Sequence, residues 1–174
     1  MRRTTTASAA VAELTIWYLE MTAAAQHCPA PLAPGFDVVE ASVPQYPVNR
    51  FLYHWIGEAW HWTDKRDWSG EQWRAYVERD GLRTWLAFVA GSPAGYFELE
   101  RQRSGSVEIA YFGLAPTFIG RGFGSGFLSR AIAEAWAWDA SRVTVNTCSL
   151  DHPRALENYR RRGFRLSHSE IHAR

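Results

Sequence analysis

Residues 120–126 read Gly-Arg-Gly-Phe-Gly-Ser-Gly, and this run limits the fold more than any other feature of the chain. Upstream, Val107–Leu114 is apolar and strand-like. Downstream, Phe123, Phe127, Leu128, Ala131, Ile132, Ala135 and Trp136 recur at helical spacing. The glycines therefore turn a strand into a helix. Glycine lets the backbone curl so that successive N–H groups point into one concavity, and a helix N-terminus adds unpaired donors and positive potential. Arg121 puts a full charge beside them. Such a turn suits a phosphate or pyrophosphate, yet its glycines would equally serve tight packing of helix on sheet. The run alone leaves both readings open. It is not a P-loop, which needs Gly-Lys-Ser/Thr, since no lysine stands here. Nor is it the dinucleotide fingerprint G-x-G-x-x-G, because neither Gly120-Arg121-Gly122 nor Gly122-Phe123-Gly124 is followed by a third glycine in place.

The rest of the chain supplies the elements around this turn. Glu13–Glu20 reads as a strand, and a proline-containing stretch from Pro29 to Gly35 sets it apart. This divides the chain into an N-terminal extension, residues 1–34, with a loose terminus over 1–10 and a strand arm, and a main domain, residues 35–174. Phe36–Glu40 is a short strand closed by Pro44 and Pro47. From Asn49, a candidate N-cap, Phe51, Leu52, Trp55, Ile56, Ala59 and Trp60 follow a helical period. Ser69 and Gln72 form a capping box for a second helix that turns Trp73, Tyr76 and Val77 inward and stops near Gly81. Thr84–Ala90, Tyr96–Glu100 and Val107–Leu114 are joined by short turns, which predicts an antiparallel meander. After the glycine turn and its helix come a strand over Arg142–Ser149 and a helix capped by Asp151, with Pro153 early in it. That helix ends at Gly163, where Arg160, Arg161 and Arg162 suit its negative end, and Phe164 onward returns to strand. The order predicts an α/β (α+β) domain with a mixed sheet.

A length of 174 residues with 47% hydrophobic content fits one globular domain. A net charge of +1 gives no overall signature of nucleic-acid binding, and no apolar run is long enough for a membrane span. Cys28 and Cys148 match no disulfide framework, which points to a reducing, cytoplasmic setting. Cys148 and His152 together are too few ligands for zinc, so no metal is expected. Nine tryptophans are read chiefly as core bulk.

Two spaced patterns carry a family resemblance. The cofactor loop pattern Gln/Arg-x-x-Gly-x-Gly/Ala falls on Ile119, Gly122 and Gly124, with Ile119 in place of the polar residue. The pattern Asn-x-x-Ala-x-x-x-Tyr-x-x-x-Gly-Phe falls on His152, Ala155, Tyr159, Gly163 and Phe164, with only the first position changed. On these residues the chain, from about Phe36 to Phe164, resembles the GNAT superfamily of acetyltransferases, in a bacterial branch of unassigned substrate. The resemblance implies a mostly antiparallel sheet whose two central strands splay apart, flanked by helices. It implies acetyl-CoA as cofactor, with its pyrophosphate on Gly120, Arg121, Gly122, Phe123, Gly124 and Ser125. The pantetheine arm would pair with the backbone of Phe112 and Leu114, a bulge near Gly113 helping the split. His152 and Asn158 are further candidate contacts.

Acetylating an amine needs the neutral form of a group whose ordinary pKa is ~10.4, so a base helps. Glu108 is the candidate, eleven residues before Ile119, the spacing of the catalytic glutamate in the family's histone-acetylating branch; strict alternation puts it on one face with Ala110, Phe112 and Leu114. A polar residue on the solvent-facing side of a strand is the other reading of it, equally open, and Glu98 and Glu100 are fallbacks acting through water. Tyr159 matches the family tyrosine that protonates the departing thiolate. The acceptor, a small-molecule or peptide amine, would meet the aromatic helix pair, with Trp60, Trp62 and Asp64 as its contacts and Glu58 as a second anion. The alternative function is a non-catalytic acyl-CoA sensor on the same fold. The Glu13–Glu20 arm adds a further expectation, pairing with a partner subunit's sheet in a homodimer.

Overall fold

The computed structural model describes residues 13–173. The loose terminus expected over residues 1–10 lies outside the described residues. In chain order the elements are β1 (Glu13–Met21), β2 (Phe36–Glu40), α1 (Tyr46–Gly57), α2 (Gly70–Val77), β3 (Leu82–Val89), β4 (Ser92–Arg101) and β5 (Val107–Leu114). They continue with α3 (Gly124–Ala137), β6 (Val143–Cys148), α4 (Ala155–Arg161) and β7 (Arg165–Ala173). The strands form one seven-stranded sheet in the order β2-β3-β4-β5-β6-β1-β7. Every neighbouring pair is antiparallel except β5 and β6. The mixed, mostly antiparallel α/β class is thus as expected. No helix among the described residues is long and apolar enough to cross a membrane.

The splay between the central strands has a simple cause. β5 and β6 pair only at Val107–Val143 and Glu108–Thr144. Beyond that, β6 stays with β1 from Met21–Val143 to Ile16–Cys148, while β5 stays with β4 as far as Gly95–Leu114. Each strand is held by its outer neighbour, and the two diverge.

Helices cover both faces. On one, Phe127, Leu128 and Ile132 of α3 are fully buried, and Phe127 lies 5.0 Å from Phe112 and 5.4 Å from Phe97 between ring centres. On the other, α1 and α2 bury Tyr53, Ile56 and Trp73 over Tyr96 and Gly113.

Four expectations are corrected. β1 is no arm: it is inserted between β6 and β7 with both edges paired, so the boundary after residue 34 divides a continuous sheet and the strand has no edge for a partner. α1 starts at Tyr46, with Pro47 in its first turn where a missing N–H is harmless, and Asn49 lies buried within the helix instead of capping it. α4 starts at Ala155, while the Asp151 carboxylate accepts from Thr147 Oγ1 at 2.6 Å and from the Cys148 N–H at 2.9 Å. Asp151 therefore fastens the end of β6. The bulge lies at Ala110 and not at Gly113, since Glu98 pairs with Tyr111 and Leu99 with Ile109.

The segment after β1 crosses α3 and the end of α4. The Cys28 N–H donates to Arg162 O at 3.0 Å, and the Ala30 N–H donates to Ser129 Oγ at 3.0 Å. Two glycines make room for it: a Cβ on Gly126 would run into Pro31 O, and one on Gly163 into Gln26 O. Gly163 also has φ of +106°, unfavourable for any side chain. Gly163→Ala should therefore lower stability by about 2–4 kcal/mol, whereas Gly35→Ala, at φ +73° but with no atom within 4 Å, should lose only about 1 kcal/mol. Urea unfolding midpoints of the two variants check the difference.

Candidate active site

The loop that leaves β5 builds an anion cradle. A short 3-10 turn, Pro116–Phe118, leads through Ile119 to Gly120 and Gly122, whose φ values are +78° and +86°. No atom of the described residues lies within 4 Å of where their Cβ atoms would be, so the concavity is open on that side. Phe123 stands at the head of α3, and no side chain caps that helix. The first-turn N–H groups of Gly124, Ser125 and Gly126 thus lack the side-chain oxygen that usually satisfies such donors. The Arg121 guanidinium lies over Phe118 and Phe123, at 5.5 and 5.7 Å from the ring centres. The glycines divide between the two readings of the run: Gly120 and Gly122 shape the cradle, and Gly126 serves packing. An open concavity at an uncapped helix start has the donors and the positive potential to take an anion.

Beside it runs the free edge of β5. The Ala115 N–H donates across to Ala94 O at 2.8 Å. Backbone groups alternate along a strand, so those of Gly113 also face β4 and those of Phe112 and Leu114 face the gap. An extended amide-bearing chain can pair there.

The bulge at Ala110 changes which residues share a face. Glu108 lies opposite Glu100, and Tyr111 lies opposite Glu98. Glu108 therefore looks to the α1/α2 side with Glu98, Glu100 and Tyr111, and not, as strict alternation predicts, with Phe112 and Leu114. It accepts from Asn146 Nδ2 at 3.1 Å and Gln102 Nε2 at 3.3 Å, so Asn146 links β6 to β5 just where their backbones part. Burial, reinforced by Glu100, raises its carboxyl above the usual range.

The fallback carboxylates are engaged. Glu98 is fully buried and accepts from Asn49 Nδ2 and from Tyr76 OH, both at 2.7 Å. Its carboxyl is raised by burial, which those two donors only partly offset. Glu100 is paired with Arg79 at 2.9 Å.

From α4, Tyr159 is buried against Phe164, edge to face at 5.9 Å. Burial, with Asp151 second, keeps its phenol protonated well past neutrality, and no hydrogen bond reaches its hydroxyl among the described residues. Asn158 spans the heads of two helices: its Nδ2 donates to Gly124 O at 3.3 Å and its Oδ1 accepts from Ser125 Oγ at 3.4 Å. It braces the cradle. His152 Nδ1 accepts from the Arg154 N–H at 3.1 Å, and its ring meets Trp60 edge-on at 5.4 Å.

The expected acceptor residues separate on inspection. Trp60 is half-exposed beside His152. Trp62 instead packs against Tyr53, Tyr96, Tyr111 and Gly57 as part of the core. Asp64 is not a free anion: it accepts from Tyr53 OH at 3.0 Å, from Lys65 Nζ at 2.8 Å and from Tyr111 OH. Burial opposes its ionisation, but the donors from Lys65, Tyr111 and Tyr53 outweigh it and hold the carboxyl below its usual range. Asn49 and Tyr76 read in the sequence only as a helix cap and an inward aromatic, and Lys65 and Asn146 went unnoticed. Asn146, two residues beyond Thr144 on one strand face, is the one that register would have found.

The acetyltransferase (GNAT) family model matches residues 49–164. A search of the curated proteins returned no match. Among solved structures, a GCN5-related N-acetyltransferase from Kribbella flavida is similar at 17% identity and a TM-score of 0.64, over 91% of this chain and 58% of that one. One from Sphaerobacter thermophilus is similar at 15% identity and 0.67, over 91% and 50%. An aminoglycoside acetyltransferase from an uncultured soil metagenomic sample is similar at 12% identity and 0.59, over 72% and 86%. The chain thus spans a half to three-fifths of the first two structures.

Because burial raises Glu98, the folded protein keeps that proton to higher pH than the unfolded chain, whose value is near 4.5. Stability of the wild type relative to Glu98→Gln should therefore be greatest below that value and decline as pH rises through the folded one. Urea titrations of both proteins across the acidic range check it; a constant difference contradicts the shift. Asn49→Ala, which strips a donor from the buried carboxyl, should cost about 2–4 kcal/mol at neutral pH.

Proposed function

The chain belongs to the acetyltransferase (GNAT) family, and from that premise we propose that it moves an acetyl group from acetyl-CoA to an amine by direct attack. The observation that carries this reading is the open cradle of Gly120 and Gly122 at the head of the uncapped α3, set beside the unpaired edge of β5. The first supports pyrophosphate and the second a pantetheine arm, and the two adjoin. Arg121 adds charge, and Ser125 and Asn158 keep the head of α3 in place. When bound, acetyl-CoA supplies the acetyl thioester.

The chain's own residues then have distinct tasks. Glu108, raised by burial and held by Asn146 and Gln102, takes the proton of the acceptor ammonium, directly or through water. The unpaired N–H groups of the β5 edge face the carbonyl oxygen as it gains charge. Tyr159, protonated and with no partner on its hydroxyl among the described residues, gives a proton to the departing sulfur. Trp60 and His152 line the acceptor side. The acceptor is a small-molecule or peptide amine, and the setting is cytoplasmic. Two copies are compatible with the reading, though not through β1.

Ile119 favours a second reading, an acyl-CoA sensor, because it offers no polar side chain to the cradle. Calorimetry with acetyl-CoA followed by thiol release with a panel of amines, an aminoglycoside and a polyamine among them, separates the two; binding without thiol release supports the sensor. Tyr159→Phe should lower kcat by about a hundredfold with little change in acetyl-CoA affinity. An unchanged kcat removes the acid role. In Glu108→Gln the acidic limb of kcat/KM, which rises with pH as this carboxyl ionises, should disappear.

A further inference from the structure

Lys65 is the only lysine among the 19 Lys and Arg residues of the chain. Its side chain is 14% exposed, and its Nζ lies 4.8 Å from the ring centres of Trp68, Tyr76 and Tyr111. The same nitrogen donates to Asp64 Oδ2 at 2.8 Å and to Tyr111 OH at 2.7 Å. Three aromatic faces and a carboxylate around one ammonium are the chemistry that selects an alkylammonium. An exposed ion pair needs no such enclosure, and arginine, used everywhere else in this chain, has a flat head that suits it poorly. The cage also stands in a telling place. Tyr111 is the first residue after the bulge, on the α1/α2 face and just beyond the last β5–β6 pair, while Tyr76 donates to Glu98.

We propose that this cage is an alkylammonium subsite at the acceptor side of the gap and that Lys65 is its resident occupant, turning away acceptors with a second cation near the reacting amine. The existence of the cage stands by itself; the selection of acceptors rests on the acetyltransferase reading. Removing the side chain to its Cβ opens a space shaped for a short primary ammonium. Replacing it with methionine keeps most of the stem and removes the ammonium, with its charge and its hydrogen bonds to Asp64 and Tyr111.

The cage is tested without turnover. Thermal unfolding of Lys65→Ala, without acetyl-CoA, should shift upward in millimolar propylammonium chloride relative to equal potassium chloride, and neither wild type nor Lys65→Met should respond. A response of Lys65→Ala no larger than that of wild type overturns the cage. Should Lys65→Ala not fold unaided, refolding with propylammonium present is the readout: recovery specific to that cation supports the proposal, and none overturns it. Selection is tested by kcat/KM for a diamine against a monoamine of equal length, a ratio that should rise about tenfold in Lys65→Met through loss of repulsion between neighbouring ammonium groups. An unchanged ratio overturns the selection. Absence of thiol release by wild type with every amine defeats the acetyltransferase reading instead, and the thermal result still decides the cage.

Discussion

β6 is committed to β1 along its length and meets β5 at only two positions, Val107–Val143 and Glu108–Thr144. Everything proposed for the site follows from that shortness. Past Glu108 the backbone of β5 has a partner on one side only, and polar backbone groups left open beside a core favour an extended ligand that can pair with them. The bulge at Ala110 falls within this open stretch. It rotates the strand, so that Glu108 and Tyr111 look toward α1 and α2 while Phe112 packs on Phe127 of α3. One irregular residue thereby separates the carboxylate-bearing face from the apolar face.

The N-terminal strand and the segment after it secure this arrangement from outside. β1 gives β6 the alternative partner that draws it from β5. The crossing segment meets α3 at Gly126 and the end of α4 at Gly163, fixing the two helices that present the cradle and Tyr159. Asn158 ties the same helices from the inner side. What reads in the sequence as an appendage is thus a structural half of the site.

On the other face, polar groups are joined in a chain of mutual satisfaction. Asn49 and Tyr76 hold Glu98, and Tyr53, Tyr111 and Lys65 hold Asp64, with Tyr111 also receiving from Lys65. Glu98, fully buried, needs its donors, since an unpaired buried charge is far costlier than a paired one, whereas Asp64 stands at the exposed rim of the aromatic cluster. Three donors already engage Asp64, and many of the aromatic side chains between α1 and β5, Tyr53, Trp62 and Trp73 among them, are wall and not pocket.

By itself the sequence determined the class of fold, the meander, the strand-to-helix glycine turn and the spacing of Ala155, Tyr159, Gly163 and Phe164, because periodicity, capping boxes and glycine are local properties of the chain. It also marked Glu13–Glu20 as a strand. Only the tertiary structure decided where that strand goes, since pairing joins residues more than a hundred positions apart, as Ile16 and Cys148 show. The tertiary structure likewise divided the glycines into cradle and packing positions, set Asn49 in the core, and turned Glu108 away from Phe112. Alternation is a rule of regular strands, and a single bulge, set by the pairing of Glu98 and Leu99 across the sheet, suspends it.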